Sequence, residues 1–148
     1  MSEAETLFGD AHVQRYRETD GDVGHIWRQG AKTLLLTTTG RRTGKPTTTP
    51  LIYAEADGVF VVVASKGGAP TDPGWYRNLA KNPDVQVQVK GDVFSARART
   101  AAGAERERLW ELATRQWPDY DEYQTRTERE IPVVVLARTR GTRTGPPP

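Results

Sequence analysis

The sequence predicts an α+β protein in which a mostly antiparallel β-barrel of about six strands carries short helices on its outside. The predicted elements follow the order β-β-β-α-β-β-α-α-β, which lacks the alternating βαβ units of a doubly wound parallel sheet. Asp57-Gly58 lies between two strand-like runs and is a strong hairpin signal. The run 85–89 alternates valine with glutamine, the pattern of a half-buried strand. Antiparallel strands with inserted helices favour a barrel.

The N-terminal half of the chain contains a short helix followed by three strands. Residues 10–19 have helical spacing, and the turn residues at 20–22 end that helix. A second short segment, 24–27, is ended by Gly30. The three strands that follow are rich in Thr, Val, Ile and Leu and cover 33–39, 46–55 and 59–65.

The C-terminal half is predicted to mix helices and strands. Pro73 suits the first position of a helix that runs to Lys81. The alternating strand 85–89 turns at Gly91-Asp92 into a second alternating strand, 93–99. The remaining predicted elements are helices over 104–116 and 119–127 and a buried strand over 131–136.

A single domain is the expectation for a chain of 148 residues. We expect a flexible N-terminus over 1–9, one folded domain over 10–137 and a disordered tail over 138–148. The tail is rich in Arg, Thr, Gly and Pro and has no apolar residues with which to form a core. A chain of this size buries roughly two-thirds of its unfolded surface, so it needs no disulfide to hold a core.

Composition excludes several classes of function. The chain has no cysteine, which excludes disulfides, thiolate nucleophiles and cysteine-ligated metals. His12 and His25 have no helical or hairpin relation, so we interpret them as surface or hydrogen-bonded histidines and expect no metal site. The chain starts without a basic n-region or an apolar h-region, and no apolar stretch approaches the roughly 18 residues that span a bilayer. We therefore expect a cytoplasmic protein with no integral membrane segment.

The charge pattern predicts no nucleic-acid partner. The formal net charge is only +2. Basic residues are interspersed with acids, as Arg106 and Arg108 are with Glu105, Glu107 and Glu111. This pattern is typical of a mixed-sign surface rather than of one basic face.

Two predicted turns place cations, hydroxyls and glycines beside strand ends. Arg41, Arg42 and Lys45 accompany Gly44 in the turn after the first strand, and Lys66 follows the third strand. Guanidinium, ammonium and backbone N–H groups bind phosphate, so the two turns suit a long anionic ligand with a phosphate and a flat ring. Basic residues and glycine are also common in ordinary solvated hairpins, and spacing alone leaves that alternative open.

Two aromatic groups are candidates for the walls of such a site. They are Trp75, Tyr76 and Asn78 on the helix that begins at Pro73, and Trp117, Tyr120 and Tyr123 near the helix 119–127. The first group suits stacking beside a ring with an amide hydrogen bond. The phenols of the second group suit a pocket wall or a proton donor. The same spacings fit aromatic packing against a barrel core, and this alternative also stays open.

Seven segments of the chain carry a resemblance to a known family. They are Leu-Leu-Leu-Thr-Thr-Thr-Gly-Arg-Arg-Thr-Gly-Lys-Pro (34–46), Pro-Leu-Ile-Tyr (50–53), Val-Ala-Ser-Lys-Gly-Gly-Ala (63–69), Trp-Tyr-x-Asn-Leu-x-x-Asn-Pro (75–83), Val-Gln-Val-Gln (85–88), Trp-Pro-x-Tyr-x-x-Tyr-Gln (117–124) and Arg-x-Ile-Pro-Val-Val-Val (129–135). Together they resemble the deazaflavin-dependent nitroreductase family, split β-barrel reductases that use coenzyme F420 (8-hydroxy-5-deazaflavin). Each segment alone is weak, whereas the collinear set is specific and covers about 10–137.

The resemblance implies roles for three groups of residues. Around the phosphate and acidic tail of the cofactor it places Arg41, Arg42, Thr43, Gly44 and Lys66. Along the deazaflavin and its ribityl chain it places Thr49, Pro50, Ala64, Ser65, Trp75, Tyr76 and Asn78. On the acceptor side it places Tyr53, Trp117, Tyr120 and Tyr123, with Tyr120 also at the cofactor. The candidate catalytic residues are Ser65, Tyr120 and Tyr123.

The activity that the resemblance implies is hydride transfer from reduced deazaflavin to an electron-poor small molecule. The acceptor classes are enones or lactones, quinones and nitro compounds, and the resemblance does not choose among them. The protein would contribute position and charge stabilisation, with a donated proton as a further candidate contribution. The alternatives are a split-barrel oxidoreductase that binds FMN and a non-catalytic deazaflavin carrier. We expect a monomer or a weak homo-oligomer.

Overall fold

The computed structural model describes residues 3–139, which form a closed antiparallel barrel of six strands. The strands are Thr33–Thr39 (β1), Pro46–Ala56 (β2), Val59–Val63 (β3), Asp84–Val89 (β4), Asp92–Thr100 (β5) and Val133–Arg138 (β6). Around the barrel they follow the order β1-β2-β3-β6-β5-β4, and β4 closes the sheet by pairing with β1. The predicted antiparallel barrel of about six strands is confirmed.

Sequential hairpins and long-range strand pairings build the barrel. β1 and β2 pair along their length, from Thr33 opposite Ile52 to Thr39 opposite Pro46. β2 pairs with β3, and β4 pairs with β5, in the same sequential manner. Two steps are long-range: β4 pairs with β1, and β6 lies between β3 and β5 and pairs with both. The C-terminal strand therefore joins the two halves of the sheet.

Five helices lie among the described residues. They are Glu3–Thr6 (α1), Gly9–Glu18 (α2), Gly74–Lys81 (α3), Gly103–Gln116 (α4) and Asp119–Thr125 (α5). Two short 3₁₀ turns, Arg28–Gly30 and Lys66–Gly68, occupy connections. α2 to α5 match the four helices that the sequence predicts, with ends that differ by one or two residues.

Alternation along β1 decides which side chains enter the barrel. Leu34 and Leu36 belong to the interior core, whereas Leu35 between them packs against Val13 and Tyr16 of α2. Both faces of the strand are therefore covered, as the period of two requires when a helix packs on the outside. Each buried leucine stabilises the fold by roughly 1.5–3 kcal/mol.

Tyr16 attaches α2 to the barrel. Its side chain is completely buried. Its hydroxyl donates a hydrogen bond to the carbonyl of Thr33 at 3.0 Å and accepts one from the backbone N–H of Lys90 at 2.8 Å. Burial raises the pKa of Tyr16 to about 12, so the phenol keeps its proton at neutral pH.

The limits of two strands differ from the predicted ones for local reasons. β3 ends at Val63 rather than at residue 65, because the 3₁₀ turn Lys66–Gly68 has left-handed backbone that cannot continue a strand. β6 begins at Val133 rather than at residue 131, because Pro132 has no N–H to donate to the sheet. The carbonyl of Pro132 still accepts a hydrogen bond from the N–H of Ala64 at 2.9 Å.

Both ends of the described chain reach beyond the predicted domain limits. α1 precedes residue 10, and the buried Leu7 accepts a hydrogen bond at its carbonyl from the indole N–H of Trp27 at 3.0 Å. The flexibility of 1–9 stays a prediction. At the other end, β6 continues to Arg138, one residue into the predicted tail. The tail residues 140–148 lie outside the described residues.

No helix found between residues 3 and 139 is long and apolar enough to cross a membrane. The longest of them, α4, has 14 residues. The same residues contain no group of three or more His, Cys, Asp or Glu side chains that could hold a metal ion.

Candidate functional site

A cavity of about 510 Å³ is lined by β2, the turn after β3, the start of α3, the segment around α5 and parts of the N-terminal region. Residues that the resemblance assigns to the cofactor and residues that it assigns to the acceptor share this lining. They are Thr49, Pro50, Ser65, Lys66, Trp75, Trp117, Tyr120 and Tyr123. The barrel therefore brings together side chains from four separate segments of the sequence.

The lining combines positive charge with aromatic surface. Lys66 and Arg28 supply the charge, and no Asp or Glu is present among the described residues that line the cavity. Lys66 is exposed, and its Nζ donates a hydrogen bond to the hydroxyl of Thr71 at 3.3 Å. The guanidinium of Arg28 lies 4.5 Å from the centroid of the Trp27 ring. A cavity with cations and without carboxylates attracts an anionic ligand.

The turn that carries Lys66 packs directly on α5. The φ angles are +47° for Lys66, +63° for Gly67 and +83° for Gly68, so three consecutive residues have left-handed backbone. A Cβ on Gly68 would lie 2.6 Å from the carbonyl oxygen of Tyr123, so only glycine fits there. This contact links the cationic part of the lining to its aromatic part.

The turn between β1 and β2 lies beside the cavity rather than in its lining. It contains the predicted cofactor residues Arg41, Arg42, Thr43 and Gly44. The backbone N–H of Gly40 donates to the carbonyl of Lys45 at 2.8 Å and closes the turn. The Nη1 of Arg41 donates to the carbonyl of Gly74 at 3.4 Å. Because Gly74 precedes the cavity residue Trp75, the turn is attached to the helix that enters the site.

Asn78 supports this turn instead of lining the cavity. Its side chain is buried. The Nδ2 of Asn78 donates to the hydroxyl of Thr38 at 3.1 Å, and its Oδ1 accepts hydrogen bonds from Arg41. Its amide group is therefore engaged within the protein.

Three other predicted site residues also lie outside the lining. The ring of Tyr53 packs in the barrel core, and its hydroxyl shares a hydrogen bond of 2.8 Å with the Nε2 of His25. The hydroxyl of Tyr76 is bonded to that of Thr100 at 2.8 Å, and Ala64 is fully buried. The structure does not bring these residues to the cavity, and the predicted contact of Tyr53 with the substrate has no support from its position. The hydrogen-bond partners of Tyr53 and Tyr76 belong to distant segments, so the local strand and helix patterns do not predict them.

The aromatic part of the lining is held by its own contacts. The indole N–H of Trp117 donates to the hydroxyl of Tyr123 at 3.2 Å, and the rings of Trp117 and Trp27 are stacked with centroids 5.9 Å apart. The ring of Tyr120 lies 6.2 Å from those of both Trp110 and Tyr123. Burial, with a contribution from Tyr123, raises the pKa of Tyr120, so its phenol is protonated at neutral pH.

The N-terminal region contributes cavity residues that the sequence did not predict. They are Phe8, His12, Trp27 and Arg28. The Nε2 of His12 lies 2.9 Å from the carbonyl of Gly24 and donates to it, and burial lowers the pKa of this imidazole. Helical spacing is the sequence signal that could have identified His12, because this residue lies four positions before the buried Tyr16 on α2 and shares its helix face.

Comparison with known proteins extends over nearly the whole described chain. A family model described as F420H(2)-dependent quinone reductase matches residues 10–138. An F420H(2)-dependent quinone reductase of Mycobacterium tuberculosis is 43% identical over 130 residues, which cover 86% of this chain and 87% of that protein. A solved F420-H2 dependent reductase, FDR-A, is 46% identical with a TM-score of 0.66, covering 70% of this chain and 92% of its own. A solved chain described as a domain-swapped dimer is 42% identical with a TM-score of 0.68, and the match covers 84% of this chain and 92% of that chain.

The match to the family model includes every segment that lines the cavity from residue 10 onward. The similarities confirm the resemblance that the sequence motifs indicate, and the family description names quinones among the acceptor classes that the motifs left open. The chain therefore belongs to the F420H(2)-dependent quinone reductase family and is an oxidoreductase that uses coenzyme F420.

Proposed function

We propose that this protein binds reduced coenzyme F420 along the cavity and transfers its hydride to a quinone held against Trp117, Tyr120 and Tyr123. One observation carries the proposal: a single lining joins the cation Lys66 to a wall of aromatic side chains. Family membership supports the reaction class. The assignment of individual residues is our own proposal from their positions.

The described residues fit the chemistry of the coenzyme. F420 has a phosphate and an acidic tail at one end and a flat, uncharged ring at the other. Lys66 and the adjoining left-handed turn suit the phosphate, because ammonium and backbone N–H groups are its usual partners. Pro50 and Trp75 offer the apolar surface that the ring requires. When bound, the coenzyme supplies two electrons as a hydride.

We assign the acidic tail of the coenzyme to the turn formed by Arg41, Arg42, Thr43 and Gly44. This turn is outside the cavity lining but attached to the start of α3. A tail that leaves the cavity past Lys66 would meet further cations there. The hydroxyls of Thr49 and Ser65, which line the cavity, are assigned to the ribityl chain and the edge of the ring.

The acceptor side offers one flat surface and two phenols. The indole N–H of Trp117 is used by Tyr123 and its ring is stacked on Trp27, so the indole offers a ligand its remaining apolar surface rather than a hydrogen-bond donor. The hydroxyl of Tyr123 accepts that bond, so its own proton is free to be donated to a quinone oxygen. Reduction of a quinone to a hydroquinone needs a proton as well as a hydride, and Tyr120 and Tyr123 are the candidate donors.

Competing titrations followed by turnover test this function. F420 and FMN are titrated separately into the protein by fluorescence, and oxidation of reduced F420 is then followed with menadione, an enone and a nitroimidazole. We expect F420 to bind more tightly than FMN and menadione to be the fastest acceptor. Tight FMN binding without F420 binding would refute the cofactor assignment. F420 binding without turnover on any acceptor would identify a carrier.

Oligomeric state and location complete the proposal. We propose a monomer or a weak homo-oligomer, to be measured by light scattering across a range of protein concentrations. A stable dimer would point to the arrangement of the solved relative that is described as domain-swapped. We also propose a cytoplasmic location, which the absence of cysteine supports because reducing compartments do not favour disulfides.

A further inference from the structure

Arg129 is a largely buried arginine whose head group binds the segment that carries Ser65 and Lys66. Its side chain is only 14% exposed. Its Nη2 donates to the carbonyl of Ser65 at 2.8 Å, and its Nε donates to the carbonyl of Ala69 at 2.8 Å. Its Nη1 pairs with the carboxylate of Asp72 at 3.0 Å. One guanidinium thus contacts the start, the middle and the end of segment 65–72.

The carbonyl of Ala64 is a further acceptor for the same group. Both Nη atoms of Arg129 lie 3.3 Å from it. Ala64 directly follows the end of β3, so the arginine also marks the point where the chain leaves the barrel. Planar guanidinium geometry suits this task, because several N–H groups point in fixed directions to several oxygens.

The backbone that Arg129 holds is one that needs support. Lys66 is a non-glycine residue with φ of +47°, followed by two glycines with positive φ. Left-handed backbone at a non-glycine residue costs on the order of 1–3 kcal/mol and persists only where surrounding contacts impose it. The carbonyls that Arg129 binds lie on both sides of Lys66, so its contacts impose that shape.

Arg129 itself is not among the residues that line the cavity. The described hydrogen bonds of its side chain fall on segment 64–72. Ser65, Lys66 and Gly67 of that segment line the cavity. A second arginine, Arg126, reaches the carbonyl of Gly67 at 3.4 Å but is half exposed. Arg129 therefore reaches a ligand in the cavity through the turn rather than by direct contact.

We propose that Arg129 is the positioning residue for the phosphate end of the cofactor site: it holds Ser65 and Lys66 in the geometry that binds F420. The inference rests on the proposed function for its ligand. It assigns to Arg129 an effect on cofactor affinity that depends on Lys66. An arginine with a purely structural role would lower the free energy of unfolding, but its effect on F420 affinity would not depend on Lys66.

Arg106 provides a matched control within the same chain. Its side chain is 16% exposed, and its Nη2 donates to the carbonyl of Ile131 at 2.7 Å, two residues from Arg129. Arg106 thus has similar burial and holds the same C-terminal connection. It has no described contact with segment 64–72.

The experiment compares Arg129→Gln, Arg129→Lys and Arg106→Gln with the unmodified protein. F420 affinity is measured by titration, hydrogen exchange of residues 64–72 is measured without added coenzyme, and urea unfolding gives the stability of each variant. We expect Arg129→Gln to raise the Kd for F420 by about tenfold and to accelerate exchange in 64–72. For Arg129→Lys, both the Kd and the exchange rate should lie between those of Arg129→Gln and those of the unmodified protein. Arg106→Gln should leave both measurements unchanged.

A double-variant cycle with Lys66→Ala decides whether the effect passes through the turn. If it does, the loss of F420 binding free energy in the Arg129→Gln, Lys66→Ala double variant is smaller than the sum of the two single-variant losses. Additive losses, or unchanged exchange in 64–72, would overturn the proposal. If Arg129→Gln does not fold, Arg129→Lys enters the same cycle. If the unmodified protein does not bind F420, the proposed function fails, while the exchange measurement still tests the positioning of the turn.

Discussion

The side-chain oxygen of Asn78 accepts two hydrogen bonds from Arg41, one from the backbone N–H at 3.2 Å and one from Nη1 at 2.9 Å. On its other side, the Nδ2 of Asn78 donates to the buried hydroxyl of Thr38 at 3.1 Å. One amide therefore fixes both the start of the cationic turn and the direction of its first guanidinium. Asn78 therefore contacts the turn that we assign to the tail, although it does not line the cavity.

We predict that Asn78→Ala weakens both folding and cofactor binding. Loss of the amide leaves the buried Thr38 hydroxyl without this donor, which costs about 1–3 kcal/mol in the free energy of unfolding. It also releases Arg41, so the Kd for F420 should rise. Urea unfolding and F420 titration measure the two effects. If F420 affinity is unchanged in the folded variant, the contacts of Asn78 do not position Arg41 for binding the tail.

Lys66→Ala is predicted to weaken F420 binding while the fold is retained. The side chain is exposed, so its removal leaves no buried charge. We expect the Kd to rise by about tenfold, which corresponds to roughly 1.4 kcal/mol. Added salt should reduce the difference in Kd between the variant and the unmodified protein, because salt screens exposed ion pairs. Arg97→Ala, which removes one exposed positive charge from β5, is the control, and equal losses in both variants would indicate only a general effect of net charge.

Tyr120→Phe is predicted to lower turnover more than cofactor affinity. If this phenol donates the proton, kcat should fall by about 10²–10⁴-fold. Steady-state kinetics with one quinone and one enone acceptor measure the effect. Unchanged turnover on both acceptors would remove Tyr120 from the mechanism. A loss confined to F420 affinity would assign it to the cofactor site.

Tyr123→Phe distinguishes the role of Tyr123 from that of Tyr120. It removes the acceptor of the Trp117 indole N–H as well as the free proton of the hydroxyl. We therefore expect KM for the quinone to rise together with any loss in kcat, because Trp117 loses one of the two contacts that orient it. The same kinetic assays compare the variant with Tyr120→Phe. A change in kcat alone would mean that the Trp117 contact does not shape the acceptor site.

Stability should decrease as pH falls through the range of ordinary histidine titration. Burial lowers the pKa of both His12 and His25 in the folded state. Below about pH 6.5, the unfolded chain therefore binds protons that the folded chain does not, and the free energy of unfolding declines. Above that pH the full stability is present. The carboxyl pKa values of Glu3 and Glu105 are lowered from an ordinary value of 4.5, so these two groups affect the free energy of unfolding only at more acidic pH.

Urea unfolding between about pH 7.5 and 5.5 measures this dependence. His12→Gln places an amide N–H near the position of Nε2, where it can donate to the Gly24 carbonyl, but it does not titrate, so the stability of this variant should fall less steeply over the same range. Stability that is constant or that increases on acidification would contradict the burial of neutral histidines.

Much of the fold was predictable because its signals are local. The Asp57-Gly58 turn, the alternation over 85–89 and the helical spacing of 104–116 each specify an element from neighbouring residues. The collinear motifs then predicted the family. The strand limits at Val63 and Val133 were less accurate, because they depend on a left-handed turn and on a proline in the tertiary arrangement.

The sequence by itself determined the elements, the family and the chemical types at the site: cations and glycines in two turns, and aromatic residues on two helices. Only the tertiary structure decided which of them meet. β6 inserts between β3 and β5, and the connection before it carries Arg129 to the turn of Lys66. The same packing engages Asn78 and Tyr53 within the protein and brings His12 to the cavity. Burial and hydrogen-bond partners arise from contacts between distant segments, and no local pattern encodes them.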